Sequence, residues 1–121
     1  MSHDKKHLIY VIDDNPMNLL LTSKILESYG FETQTAESGA AALQLIRQQR
    51  PSLILLDINM PNMDGYEVCR RIKAKEDWAD IPVIFLTANT QTENLVEGFN
   101  VGGVDYITKP FRREELWVRV S

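Results

Sequence analysis

The sequence predicts a single α/β domain built on a parallel β-sheet, and two observations carry that prediction. Five strand-like runs alternate with helical patterns along the 121 residues, as in a sheet wound by right-handed crossovers. The central run, Leu53-Ile54-Leu55-Leu56, is continuously apolar and passes straight into Asp57. A strand buried on both faces reads this way, and its first charge marks where it leaves the core. Ligand sites of open parallel sheets form at the carboxyl ends of the strands, so Asp57 and its counterparts on the other strands are the residues to follow.

Met1 to Lys6 is polar and expected to be loose. His7 to Ile12 reads as a buried strand that also runs into carboxylates, Asp13 and Asp14. Asn15-Pro16 then supplies a helix start, with an Asn cap and Pro at the first helical position. Met17, Leu20, Leu21, Ile25 and Leu26 are read as the apolar side of that first helix, and Gly30 as its C-terminal cap. Phe31 to Ala36 is a second, more polar strand, as expected nearer an edge. Ser38-Gly39 opens a second helix carrying Ala42, Leu43 and Ile46, stopped by Pro51. After the Asp57 strand and the loop Ile58 to Met63, Asp64 caps a third helix, with Glu67 at capping-box spacing. Tyr66, Cys69 and Ile72 mark its apolar side. Ile81 to Leu86 is the fourth strand and delivers Thr87 to the same end as the aspartates. Thr90 and Glu93 start a fourth helix with Leu95, Val96 and Phe99, broken at Gly102-Gly103. Val104 to Thr108 is the fifth strand and delivers Lys109-Pro110. Glu114 to Val120 begins a fifth helix, expected to run on past the end of this chain as in a piece of a larger protein. Trp117, beside Leu116 and Val120, faces either a neighbouring domain or the edge of the helix interface.

Composition narrows the function classes. Hydrophobic residues at 44% and charged residues at 25% are ordinary globular usage. A net charge of −4 argues against nucleic acid or an anionic membrane as a direct partner. The one basic run, Arg70-Arg71-Ile72-Lys73-Ala74-Lys75, is expected to decorate the exposed end of the third helix, where cations complement the dipole. No apolar stretch is long enough to span a membrane, and nothing resembles a signal peptide. The single cysteine, Cys69, has no partner for an internal disulfide and reads as a small buried apolar group. A cytoplasmic protein without membrane insertion is the expectation.

The strand ends then form a constellation. Strands one, three, four and five deliver Asp13 and Asp14, Asp57, Thr87 and Lys109, which a parallel sheet places along one edge. Crowded carboxylates repel one another unless a cation neutralises them. Oxygen-only ligands without His or Cys select a hard ion such as Mg²⁺. Lys109 offers a point charge for an anionic ligand, and Thr87 a hydroxyl donor. A carboxylate beside Mg²⁺, an ammonium and a hydroxyl is what an aspartyl-phosphate site requires.

These residues resemble the receiver domain, the phospho-accepting module of two-component response regulators and hybrid histidine kinases. The resemblance spans His7 to Val120. It is carried by Asp13-Asp14, by Asp57 with Met60-Pro61-Asn62-Met63-Asp64-Gly65, by Thr87-Ala88, Asp105-Tyr106 and Lys109-Pro110-Phe111. It implies the flavodoxin-like (βα)₅ fold, a doubly wound five-stranded parallel sheet in the order 2-1-3-4-5. It makes Asp57 the phosphoacceptor, with Asp13, Asp14, Asp57 and the backbone carbonyl of Asn59 holding Mg²⁺. Thr87 and Tyr106 would be the switch pair, and Lys109 the phosphate-contacting lysine, followed by a cis bond to Pro110. The implied donor is a histidine kinase or a histidine phosphotransfer domain. The implied output is a domain or downstream protein reading the fourth helix, fifth strand and fifth helix, and a phosphorylation-dependent dimer stays open. Such a module is not an enzyme beyond catalysing its own phosphorylation and dephosphorylation.

One departure bears on output. Many DNA-binding response regulators carry paired acidic residues just before the Tyr of the fifth strand, where this chain reads Val104-Asp105-Tyr106. The charged set of their shared dimer surface is therefore incomplete, and a DNA-binding output is not inferred from these residues. Two alternatives stand beside signalling. An aspartyl-phosphate phosphohydrolase of the haloacid dehalogenase type would place a second Asp two residues after the nucleophile, where Asn59 stands. A degenerate receiver used only for binding is opposed by the intact set of five residues.

Overall fold

The structure, a computed structural model, describes residues 7–87, 102, 105–108 and 114. Apart from Gly102 and Glu114, the expected fourth and fifth helices lie outside the described residues, as do Lys109, Pro110 and Trp117. Strands β1 (Leu8–Ile12), β2 (Glu32–Ala36), β3 (Leu53–Asp57), β4 (Val83–Thr87) and β5 (Asp105–Thr108) form one sheet in the order β2-β1-β3-β4-β5. Every neighbouring pair is parallel. This is the doubly wound, flavodoxin-like order expected from the resemblance.

Helices α1 (Pro16–Ser28), α2 (Gly39–Gln48) and α3 (Gly65–Lys73) connect the first four strands. Strand side chains alternate between two cores, as the pleat requires. Tyr10, Ile12, Leu56 and Phe85 join Ala42 and Ile46 of α2 and Val68 and Ile72 of α3 in one cluster. Ile9, Val11, Leu55, Ile84 and Leu86 join Leu19 and Leu26 of α1 in the other. The central strands are thus covered on both faces, which is why they read as unbroken apolar runs. Polar β2, at the edge, is mostly exposed. Observed β4 begins two residues later than expected, after Pro82, which has no N–H to give a ladder.

Most local signals in the sequence act as read, the capping-box role of Glu67 excepted. Asn15 caps α1 by accepting from the N–H groups of Met17 and Asn18, and Pro16 occupies the first turn. At the other end Gly30 has φ 95°, while the Gly30 and Phe31 N–H groups donate to Glu27 and Leu26. That is a Schellman ending, and it needs a residue at ease in left-handed space. Asp64 caps α3 through the Glu67 N–H at 2.9 Å. The Glu67 carboxylate turns forward to Arg70 and Arg71 rather than back towards the cap, and the hydrogen bonds it accepts from Arg71 and Arg70 hold it below the usual carboxylate range. Arg70, Arg71 and Lys73 all lie in the last turn of α3, as the basic run implied.

One expectation about packing fails. Met17, Leu20 and Leu21 of α1 are 60, 51 and 54% exposed. The sheet takes instead the stripe Leu19, Thr22, Ser23 and Leu26, spaced i, i+3, i+4, i+7, with Ile25 half-buried beside it. Apolar residues occupy most of this helix's circumference, so periodicity admits two stripes. The hydroxyl residues Thr22 and Ser23 hid the one that is buried.

Cys69 is buried with its thiol pushed up to about 11 by desolvation. Folded protein should therefore react with thiol reagents at pH 8 far more slowly than urea-unfolded protein. Because the folded value is raised from 9.0, this group's contribution to stability is present below pH 9 and is lost as pH climbs through about 11. A urea midpoint that is flat across that window in wild type, yet falls in Cys69→Ala, would contradict this.

Candidate functional site

The sheet register builds the site at its carboxyl edge. Ile12 pairs with Leu56 and Asp57 with Leu86, so the ends of β1, β3 and β4 lie side by side. Asp13 follows β1, Asp57 ends β3 and Thr87 ends β4. All three are almost fully buried, at 1, 3 and 1% exposure, while Asp14 is exposed. Asp13, Asp14 and Asp57 each offer a carboxylate oxygen, and these oxygens all lie within 4.8 Å of one another. Asp13 is fixed from behind. Its N–H donates to the Ala36 carbonyl at 3.1 Å, and its carboxylate accepts the Asn15 N–H at 3.0 Å. The residue that caps α1 therefore also orients a carboxylate of the cluster.

The loop after Asp57 folds back on that strand. Met60 N–H donates to the Ile58 carbonyl, Met63 N–H to Pro61, and Asn62 takes a left-handed φ of 69°. Gly65 N–H then donates to the Ile58 carbonyl at 2.9 Å, bringing the start of α3 against the end of β3. A Cβ at Gly65 would lie 2.5 Å from the Asp57 carbonyl oxygen and 2.8 Å from the Ile58 Cα. Both are backbone atoms and cannot swing away. Gly65→Ala should destabilise the protein by about 1–3 kcal/mol in urea unfolding, the usual range for overpacking. A change within experimental error would mean that this close approach relaxes freely.

Tyr106 lies on β5 opposite Phe85 of β4, and its half-buried ring packs 5.3 Å from the Phe85 ring. Phe85 and Thr87 are two residues apart on β4 and share a face. The Tyr66 ring meets Phe85 edge-on at 5.2 Å, and the Tyr66 and Tyr106 hydroxyls are 3.2 Å apart. Tyr66 was legible only as an apolar core position, since its hydroxyl partner is 40 residues away in sequence. Asn59, two residues after Asp57 in sequence, is exposed.

An oxygen-only set of three carboxylates, two of them buried, suits a hard divalent cation with waters completing its shell. The chemistry of this donor set fits Mg²⁺. Among the described residues no helix is long and apolar enough to cross a membrane.

Comparison with known proteins agrees with this arrangement. The family model of the response regulator receiver domain matches residues 9–121. The DNA-binding dual master transcriptional regulator RpaA of Synechocystis is 44% identical over 112 residues, which cover 93% of this chain and 46% of that protein. The DNA-binding response regulator MtrA of Mycolicibacterium smegmatis is 39% identical, over 93% of this chain and 48% of its own length. The chain thus spans about half the length of these curated relatives. Among solved structures, the Vibrio cholerae chemotaxis protein CheY4 superposes with a TM-score of 0.92 at 30% identity, covering 95% of this chain and 96% of that one. The receiver domain of the Pseudomonas aeruginosa sensor histidine kinase PA1611, solved with a magnesium ion coordinated in its active site cleft, gives 0.87 at 33% identity over 95 and 94%. With its sheet order, its carboxylates at the strand ends and this match over nearly its whole length, the chain belongs to the family of response regulator receiver domains of two-component signalling.

Proposed function

We propose that this chain accepts a phosphoryl group on Asp57 from a phosphohistidine donor and passes the change to the surface around β5. The observation that carries the reading is the cluster of Asp13, Asp14 and Asp57 at the carboxyl edge of the sheet, with Thr87 at the adjacent strand end. An Asp57 carboxylate oxygen attacks the phosphorus in line. The P–N bond to the donor imidazole breaks, and its electron pair returns to the ring nitrogen. Asp13, Asp14, Asp57 and the Asn59 carbonyl would hold Mg²⁺, which neutralises charge on the phosphoryl oxygens when bound. Lys109 adds a second positive charge, and the Thr87 hydroxyl donates to the new acyl phosphate. Lys109 is assigned from the resemblance alone, since it lies outside the described residues, and the same holds for a cis Lys109–Pro110 bond. Drawing Thr87 towards the phosphoryl group is coupled in this reading to the placement of Tyr106, the other member of the switch pair. The outputs read from that surface, a partner domain or a second copy, belong to the full-length protein, which we place in the cytoplasm.

The test is incubation with acetyl phosphate, with and without Mg²⁺. One acid-stable, base-labile phosphoryl group per chain is expected with Mg²⁺, and EDTA should suppress it. Turnover of unrelated phosphate esters, with no phosphorylated chain accumulating, would instead support a phosphohydrolase.

The exposed apolar face of α1 bears on the donor. Met17, Leu20 and Leu21 stand on the helix that begins two residues after Asp14, a fitting surface for an apolar helical partner delivering phosphohistidine to the cluster. Leu20→Asp should slow transfer from a phosphorylated histidine protein by about tenfold or more. Phosphorylation by acetyl phosphate should stay as in wild type. Equal rates from the protein donor would remove α1 from the docking surface.

A further inference from the structure

We propose that Tyr66 is a positioning residue for Tyr106, holding that ring inward against Phe85 before any phosphoryl group arrives. The inference rests on the reading of Tyr106 as the mobile partner of Thr87, and adds a second input to it. Tyr66 is the second residue of α3, whose first turn is tied to the phosphoacceptor loop by the Gly65 N–H to Ile58 bond and the Asp64 cap. Its side chain is 8% exposed and packs edge-on against Phe85, which in turn packs against Tyr106. Three rings therefore bridge α3 to β5 across β4.

A phenylalanine at position 66 would make the same ring contacts. What tyrosine adds is a hydroxyl 3.2 Å from the Tyr106 hydroxyl, where either can donate to the other. If Tyr106 swings outward, the hydroxyl of buried Tyr66 loses this partner in surroundings poor in water, and such losses are unfavourable. The inward placement is thereby favoured from the α3 side. Because the first turn of α3 follows the phosphoacceptor loop, a shift of that loop reaches Tyr106 without passing through Thr87. One net hydrogen bond corresponds to a roughly two- to tenfold change in the inward-to-outward ratio of Tyr106.

The experiment is NMR on the unphosphorylated protein. The ratio is read from Tyr106 Hα–Hβ couplings and from ring-proton Overhauser contacts to Phe85. Tyr66→Phe should lower the inward ratio two- to tenfold. An unchanged ratio in Tyr66→Phe would overturn the proposal. Urea unfolding supplies a second measure that does not depend on Tyr106 rotamers. Tyr66→Phe combined with Tyr106→Phe should cost less than the sum of the two single variants, because both remove the same bond, and additive losses would overturn the proposal as well. Adding beryllofluoride to wild type separates this from the parent reading. A Tyr106 ratio indifferent to the phosphoryl mimic would sink the switch, while the Tyr66→Phe result in untreated protein still decides the positioning role.

Discussion

Asp57→Asn should abolish phosphoryl acceptance, leaving less than about 1% of the wild-type rate, while the fold survives. The substitution keeps the shape of a side chain that is 3% exposed but removes the nucleophilic charge. The unbroken apolar run of β3 before it, Ile54 to Leu56, supplies the core contacts and is untouched. Asp13 and Asp14 retain charge and share the edge, yet Asp13 is already engaged by the Asn15 N–H, and Asp14 lies on the exposed side. Neither is placed to substitute at the end of the central strand. Far-UV circular dichroism and urea unfolding verify folding, and labelling by a phosphorylated histidine protein reports acceptance. Labelling of Asp57→Asn at the wild-type level would mean that the acceptor lies elsewhere.

Asp14→Asn should have opposite effects with and without metal. Three carboxylates with oxygens inside 4.8 Å repel one another when no cation is present. Removing one charge should raise the melting temperature of metal-free protein by about 2–5 °C. Solvent screens the exposed Asp14, which keeps that gain small. With Mg²⁺ the order should reverse, because a ligand at free concentration L that binds only the folded state stabilises it by RT ln(1 + L/Kd), about 2.7 kcal/mol at a hundred times Kd. The variant, short of one ligand, should bind Mg²⁺ at least about tenfold more weakly and be phosphorylated more slowly. Crossing melting curves in a Mg²⁺ titration would display both effects together. Unchanged Mg²⁺ affinity in Asp14→Asn would show that the ion is held by other groups.

The aspartates were legible because charge at the end of an apolar run has a single structural meaning in a parallel sheet. Asp13 and Asp57 lie where that argument placed them, and the register of β1 with β3 makes them neighbours. The caps at Asn15, Gly30 and Asp64 were legible for the same reason, since each rests on chemistry within a few residues. The face of α1 was not. Met17, Leu20 and Leu21 look like core by spacing, and only the sheet's choice of the Leu19 and Leu26 stripe shows which side is outward. The Tyr66 hydroxyl was equally hidden, because its partner is set by the pairing of β5 with β4. Long-range register decides such contacts, and no local pattern encodes it.

The central claim is that one carboxylate, at the end of β3, carries the signal. Wild-type protein phosphorylated in the presence of Mg²⁺ can be reduced with borohydride, which converts an acyl phosphate to an alcohol, and then mapped by peptide mass spectrometry. The account predicts homoserine at position 57 and unmodified aspartate at positions 13, 14 and 64. Reduction at any of those positions, with Asp57 intact, would contradict it.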